Sequence, residues 1–129
     1  SSVVLIVAQR LVRLICEECK EEIQPASSDV AMVNHLTGAS PGATLRLWHG
    51  RGCSACAHTG FRGRAGVYEF LPVSNAIKEG ILALESAEGI RRIALSEGVR
   101  PMVINGLHMV QSGRTTLEEL LRVTRQDVS

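Results

Sequence analysis

Apolar residues recur early in the chain at intervals of three and four. Val4, Val7, Ala8, Leu11, Val12 and Ile15 share one face of a helix drawn over residues 3 to 15, with Gln9, Arg10 and Arg13 largely on the other. The pattern predicts a helix that stops near Cys16. Beyond Pro25, Ser27 or Ser28 is placed to cap a short helix with Asp29 in its first turn, and Val30, Val33 and Leu36 supply its apolar face. Gly38 to Gly42, with Pro41, reads as a loop. Leu45, Leu47 and His49 alternate with Arg46 and Trp48, which predicts a strand. The stretch from Phe61 to Pro72 turns aromatic and β-branched in its later half. It is expected to be a second strand pairing near Leu45 to His49, in a short antiparallel hairpin.

From Ser74 onward the period becomes helical. Ile77, Ile81, Leu82 and Leu84 fit one helix. Ala87, Ile90, Arg91, Ala94 and Leu95 fit a second, ended by Gly98. Pro101 suits a first helical turn before Met102, Val103, Leu107 and Val110, with Gly113 as the stop. Thr116-x-x-Glu119 has the form of a capping box ahead of Leu117, Leu120, Leu121 and Val123. The fold class expected is α+β, mostly α: a small four-cysteine lobe with its hairpin, then a C-terminal helical lobe. The divisions are a helix over 1–15, a metal-binding subdomain over 16–72 and a helical subdomain over 73–129.

Composition adds limits. Of 129 residues, 45% are hydrophobic, enough for a core, but only 3% are aromatic, so few stacking platforms remain for bases or sugars. A net charge of +1, from 14 basic and 13 acidic residues, gives no nucleic-acid footprint. No run of about 18 apolar residues predicts a membrane span. In Val3 to Ala8 the positive charges follow the apolar run, the reverse of a signal peptide. The missing initiator Met and the apolar opening are expected of a piece of a longer protein.

The chemistry lies in the cysteines. Cys16-x-x-Cys19 and Cys53-x-x-Cys56 are separated by 33 residues. A two-residue gap lets both sulfurs of a pair turn to one point, and two pairs complete the tetrahedron that zinc prefers. The long intervening loop is no bar, because closure entropy grows only with the logarithm of length. Two disulfides are the first alternative, disfavoured by the absence of a secretory signal. A redox or iron–sulfur centre is the second, and a redox pair would leave the other Cys-x-x-Cys unexplained. Four thiolates leave no position for water, so the metal is expected to be structural, with His49 and His58 solvent-facing or supporting rather than ligating. The glycines at 52, 60, 63 and 66 are expected in tight turns beside it. There is no GxxxxGK[ST], no HExxH and no triad, and no catalytic residue is assigned. Arg10, Arg13, Arg62 and Arg64 have the reach to meet a phosphate or carboxylate, but surface solubility and ordinary ion pairing are the favoured account of each.

Three motifs carry a family resemblance. Ala8-Gln9-Arg10-Leu11-Val12-Arg13 with the first Cys-x-x-Cys, Gly52-Cys53-x-x-Cys56 with Thr59-Gly60-Phe61-Arg62-Gly63-Arg64-Ala65-Gly66-Val67-Tyr68-Glu69, and Asn105-Gly106 with Gly113 to Thr124 occur in that order. Together they resemble the C-terminal zinc-binding region of type II secretion and type IV pilus assembly ATPases, over residues 1 to about 124. The resemblance implies a cytoplasmic homo-hexameric motor, held peripherally at the inner membrane through platform proteins, that binds ATP and Mg2+ in an upstream core. It implies that this piece, without the Walker motifs, does not hydrolyse ATP alone, and that a zinc-folded lobe passes subunit motion to the platform. Asn105 and His108 depart from residues common in the family and leave the branch open, including DNA-uptake and retraction relatives. The four-cysteine insert favours an assembly or secretion motor. The rival expectation is a zinc-ribbon nucleic-acid module, resting on Arg51, Arg62 and Arg64; near-neutral charge opposes it, and no nucleic-acid partner is expected.

Overall fold

The computed structural model describes residues 4–38 and 44–125. The expected loop at residues 39–42 lies outside the described residues. The chain is α+β; the described residues form two two-stranded antiparallel sheets and five α-helices. In order these are β1 (Leu5–Ile15), β2 (Lys20–Ile23), α1 (Ser27–Thr37), β3 (Leu47–Gly50), β4 (Phe61–Pro72), α2 (Asn75–Leu82), α3 (Ala87–Ser96), α4 (Met102–Gln111) and α5 (Leu117–Thr124).

The helix expected over residues 3 to 15 is instead the long strand β1, described from Leu5. It pairs with β4 from Leu5↔Pro72 to Arg13↔Arg64, with a register shift before Ile15↔Phe61. The strand expected near Leu45 to His49 pairs not with Phe61 to Pro72 but with β2, from Lys20↔Gly50 to Ile23↔Leu47. Periodicity misled because both faces of β1 are apolar. Val12 and its β4 neighbour Val67 are buried on one face, while Leu5, Val7 and Leu11 are exposed on the other beside Tyr68 and Phe70. A run that is apolar on both faces does not alternate, and helix and strand then look alike.

Helices α4 and α5 cover the inner face of the β1–β4 ribbon. Their Met102, Val103, Leu107, Met109, Val110, Leu117 and Leu120 join Val12, Val67, Val33 and Leu47 in one aliphatic core. That core therefore draws on residues from both sides of Pro72. Gly106 makes the contact close, since a Cβ there would strike Leu120 and Val67. Among the described residues no buried side-chain nitrogen or oxygen lacks a hydrogen-bond partner. The α2–α3 hairpin stands outside this core. Ser74 Oγ donates to Glu97 Oε1 at 2.7 Å across its base, and Arg91 lies 3.7 Å from Glu69 on β4.

The helix starts follow the sequence with small shifts. Ala26, not a serine, is the N-cap of α1, and its N–H donates to the Asp29 carboxylate at 3.2 Å. Ser74, Ser86 and Thr116 cap α2, α3 and α5 through their hydroxyls. Pro101 is the N-cap of α4, so the helix begins at Met102. Leu84 lies past the end of α2 in a left-handed turn (φ 59°). Among the described residues no helix is long and apolar enough to cross a membrane.

Candidate metal centre

The two sheets end at the same place, and the cysteines stand there. Cys16 follows the last residue of β1, and its N–H donates to Gly60 O at 3.0 Å just before β4 begins. Cys19 immediately precedes β2, and its carbonyl accepts from Arg51 N–H at 3.1 Å just after β3. The β1–β4 ladder thus fixes one side of the junction and the β2–β3 ladder the other. Cys53 and Cys56 sit in the link between β3 and β4, on a single 3-10 turn (Ser54–Cys56). His58 N–H closes that turn onto Cys53 O at 2.8 Å, with Ala57 and His58 both at positive φ. The β2–β3 pairing and this turn bring the two cysteine pairs, 33 residues apart in sequence, to one place.

The four Sγ atoms lie within 4.8 Å of one another. Cys16 to Cys53 is 3.8 Å, Cys19 to Cys56 is 3.9 Å, and Cys53 to Cys56 is 3.8 Å. Four sulfurs about 2.3 Å from a common centre stand about 3.8 Å apart in a regular tetrahedron, so the spacing fits a zinc-sized ion at the middle. It does not fit a disulfide, whose sulfurs would be about 2 Å apart. All four cysteines are free; Cys16, Cys19 and Cys56 are buried and Cys53 is partly buried. The set is therefore positioned to bind a metal ion, and its donors are the soft thiolates that zinc accepts.

Backbone amides point at the sulfurs. Gly52 N–H donates to Cys19 Sγ at 3.3 Å, Cys53 N–H to Cys56 Sγ at 3.3 Å and Gly60 N–H to Cys56 Sγ at 3.2 Å. Burial opposes ionisation of Cys56, but the amides of Cys53 and Gly60 outweigh it and draw the thiol down to about 6. At Cys19 burial prevails over the single Gly52 amide, and neighbouring thiols push the same way, so the thiol rises to about 11. Four adjacent sulfurs do not all ionise unaided; a divalent cation is what makes the fully deprotonated set favourable.

Glycine is required at this junction. A Cβ on Gly50 would overlap the Gly60 carbonyl, and Gly60 itself has φ +82° and faces Gly50 O in return. Gly52 also has positive φ, as a turn role predicts; Gly63 shares it but lies within β4, at the register shift, rather than in a turn. Gly66 does not. It lies in the β4 ladder opposite Leu11, where a Cβ would strike Gln9 and the Tyr68 ring.

His49 and His58 stand apart from the sulfurs' donor set. His49 Nε2 lies 2.8 Å from Glu21 Oε1 across the β2–β3 ladder, and His58 is exposed. Arg62 and Arg64 are exposed on β4. Arg13 has a defined role. Glu119, only 2% exposed, accepts the Arg13 backbone N–H at 2.9 Å and its guanidinium at 3.0 and 3.3 Å. Arg122 adds bonds of 2.8 and 3.1 Å. Burial alone would raise the Glu119 carboxyl, but the bonds from Arg122 and Arg13 outweigh it and hold it down at about 2. The Arg13 guanidinium also lies over the Phe61 ring at 4.2 Å. This tie of β1 to α5 is what the capping-box reading missed. Thr116 does accept from Glu119 N–H, but the glutamate side chain leaves the helix end for Arg13.

A metal-ready junction of two ladders, backed by a small helical layer, defines a class of metal-binding module that sequence comparison places in a family. Residues 1–122 match the model of the Type II/IV secretion system protein family, and the chain belongs to that family. It is 38% identical over 119 residues to the Type IV pilus assembly ATPase PilB of Thermus thermophilus, which covers 92% of this chain and 13% of that protein. It is 33% identical over 127 residues to the Type II secretion system protein E of Aeromonas hydrophila, covering 98% and 24%. The match to the Type II secretion system ATPase E of Vibrio cholerae is 35% over 126 residues, covering 98% and 24%. The chain thus spans about a quarter or less of the length of these relatives.

Proposed function

We propose that this chain is the metal-binding and helical part of a secretion or pilus-assembly motor, lying outside that motor's nucleotide-binding core. Cys16, Cys19, Cys53 and Cys56 hold one zinc ion, and the zinc is structural. The tetrahedral spacing of the four sulfurs supports this reading above all. Four protein ligands fill the coordination sphere, and backbone amides from Gly52, Cys53 and Gly60 compensate the thiolate charge. The ion ties the end of β1 to the β3–β4 link, so the orientation of one ladder is transmitted to the other. In the whole motor, read here as a cytoplasmic homo-hexamer using ATP and Mg2+, residues 16–72 form the zinc lobe and 73–129 the helical lobe. The zinc lobe gives a stiff face through which subunit movement reaches an inner-membrane platform.

Two measurements test this. The isolated chain, purified without chelator, is expected to carry one zinc per molecule and to lose it in Cys53→Ser/Cys56→Ser. Unchanged metal content or unchanged melting in that variant overturns the structural role. In the full-length protein the same double variant is expected to abolish secretion or piliation. Normal assembly by a zinc-free motor would remove the proposed transmission.

A further inference from the structure

A cavity that shares no residue with the sulfur cluster is walled by arginine. It has a volume of about 270 Å³ and lies where β1, β4, α3 and the end of α5 meet. Arg10, Arg91, Arg122 and Arg125 line it, from three separate segments of chain, and Glu69 is the one carboxylate in its wall among the described residues. Arg10 is not on the solvent face of the ribbon. It stands opposite Val67 and shares the face of Val12, two residues along, on the side that α4 and α5 cover, with its side chain still exposed at the rim.

The charges in this wall do not balance. Glu69 is engaged twice, accepting the Met102 N–H at 2.9 Å and facing Arg91 at 3.7 Å. Arg122 is held by Glu119 from below. Arg10 and Arg125 enter no ion pair among the described residues. Arg10 and Arg125 therefore bring positive charge to one concave surface with no carboxylate partner among the described residues. Clustered guanidinium groups repel one another unless an anion enters, and their planar forks match the oxygens of phosphate in pairs. A monocarboxylate offers two oxygens; a phosphate or pyrophosphate offers enough to reach arginines on different elements at once.

We propose that this cavity binds a phosphate-bearing small ligand, with Arg10 and Arg125 as the residues that supply the uncompensated charge. The site is independent of the zinc reading. The shared chemistry is a phosphate group, and two sources present it: a soluble phosphate compound or the headgroup of an anionic lipid. The proposal commits to the soluble one.

Calorimetric titration of the zinc-loaded chain with pyrophosphate, at fixed ionic strength, tests it. Saturable one-site binding is expected, weakened about tenfold in Arg10→Gln and in Arg125→Gln, the loss of one charge-assisted contact. Arg10→Lys, which keeps the charge but not the fork, is expected to fall between. Arg46→Gln removes an arginine paired with Glu22 elsewhere and is expected to leave binding unchanged. No saturable binding, or equal weakening in Arg46→Gln, overturns the proposal. A parallel sedimentation with phosphatidylserine vesicles separates the sources. Vesicle binding that needs Arg10 and Arg125, without pyrophosphate binding, also overturns it in favour of a lipid headgroup. Melting curves of each variant, expected to match the parent, confirm that a lost signal is not lost folding.

Discussion

The molecule has two interiors built on different physics. Under α4 and α5, aliphatic side chains from both ends of the chain exclude water, and the stabilisation scales with buried area. At the meeting of the ladders, four cysteines form a separate cluster with no large apolar residue in it. Packing alone holds such a cluster weakly, because sulfur atoms at coordination distance offer each other little area. An ion changes that by bonding all four at once. The aliphatic interior is thus graded, losing a little with each methylene removed, whereas the sulfur interior, on the proposed zinc reading, is all or none in its metal.

The largest effect should come from taking the metal away. Free energies of about 10–16 kcal/mol are typical of structural zinc sites near neutral pH. A strong chelator is therefore expected to collapse hydrogen-exchange protection first in β2, β3 and the Cys53–Gly60 link. Protection that vanishes uniformly, or not at all, would mean the two interiors are not separate. Leu120→Ala addresses the other interior. Leu120 is fully buried, and its truncation should cost about 3 kcal/mol in chemical denaturation while zinc stoichiometry stays at one. Loss of zinc in that variant would mean the two interiors are coupled.

Glu119 links β1 to the helical layer, and its effect should be intermediate. Its folded carboxyl is held at about 2, below the usual 4.5. The sign follows: the contribution is complete above the unfolded value and fades as pH falls from about 4.5 toward 2. With both arginine partners about half exposed, on the order of 2 kcal/mol is at stake. Glu119→Gln should lower stability by that amount at pH 7 and flatten its acid limb. An unchanged acid limb would deny the carboxylate this role. The smallest effect is expected of His49→Ala, which breaks a half-exposed contact with Glu21. It should cost about 0.5 kcal/mol or less, with full zinc content by metal analysis. A drop in zinc would make His49 part of the site after all.

The four-cysteine cluster was legible early because its chemistry is local. A Cys-x-x-Cys pair turns its sulfurs together whatever the wider fold, and the glycines flanking the second pair mark turns that only they tolerate. Helices α2 to α5 were legible for a similar reason: serine, threonine and proline starts act within one turn. The Arg13–Glu119 tie was not. Its partners are 106 residues apart, and Thr116-x-x-Glu119 already offered a sufficient local explanation for the glutamate.

What the residues determined alone was the two Cys-x-x-Cys pairs, the α+β class and the starts of helices α2 to α5, each a matter of a few neighbouring positions. What tertiary structure alone decided was that residues 5 to 15 run extended, that β4 pairs with β1 and β3 with β2, and that Arg10 faces an arginine-lined hollow. A strand acquires its conformation from hydrogen bonds to a partner far along the chain. No periodicity within the strand itself records which partner that is.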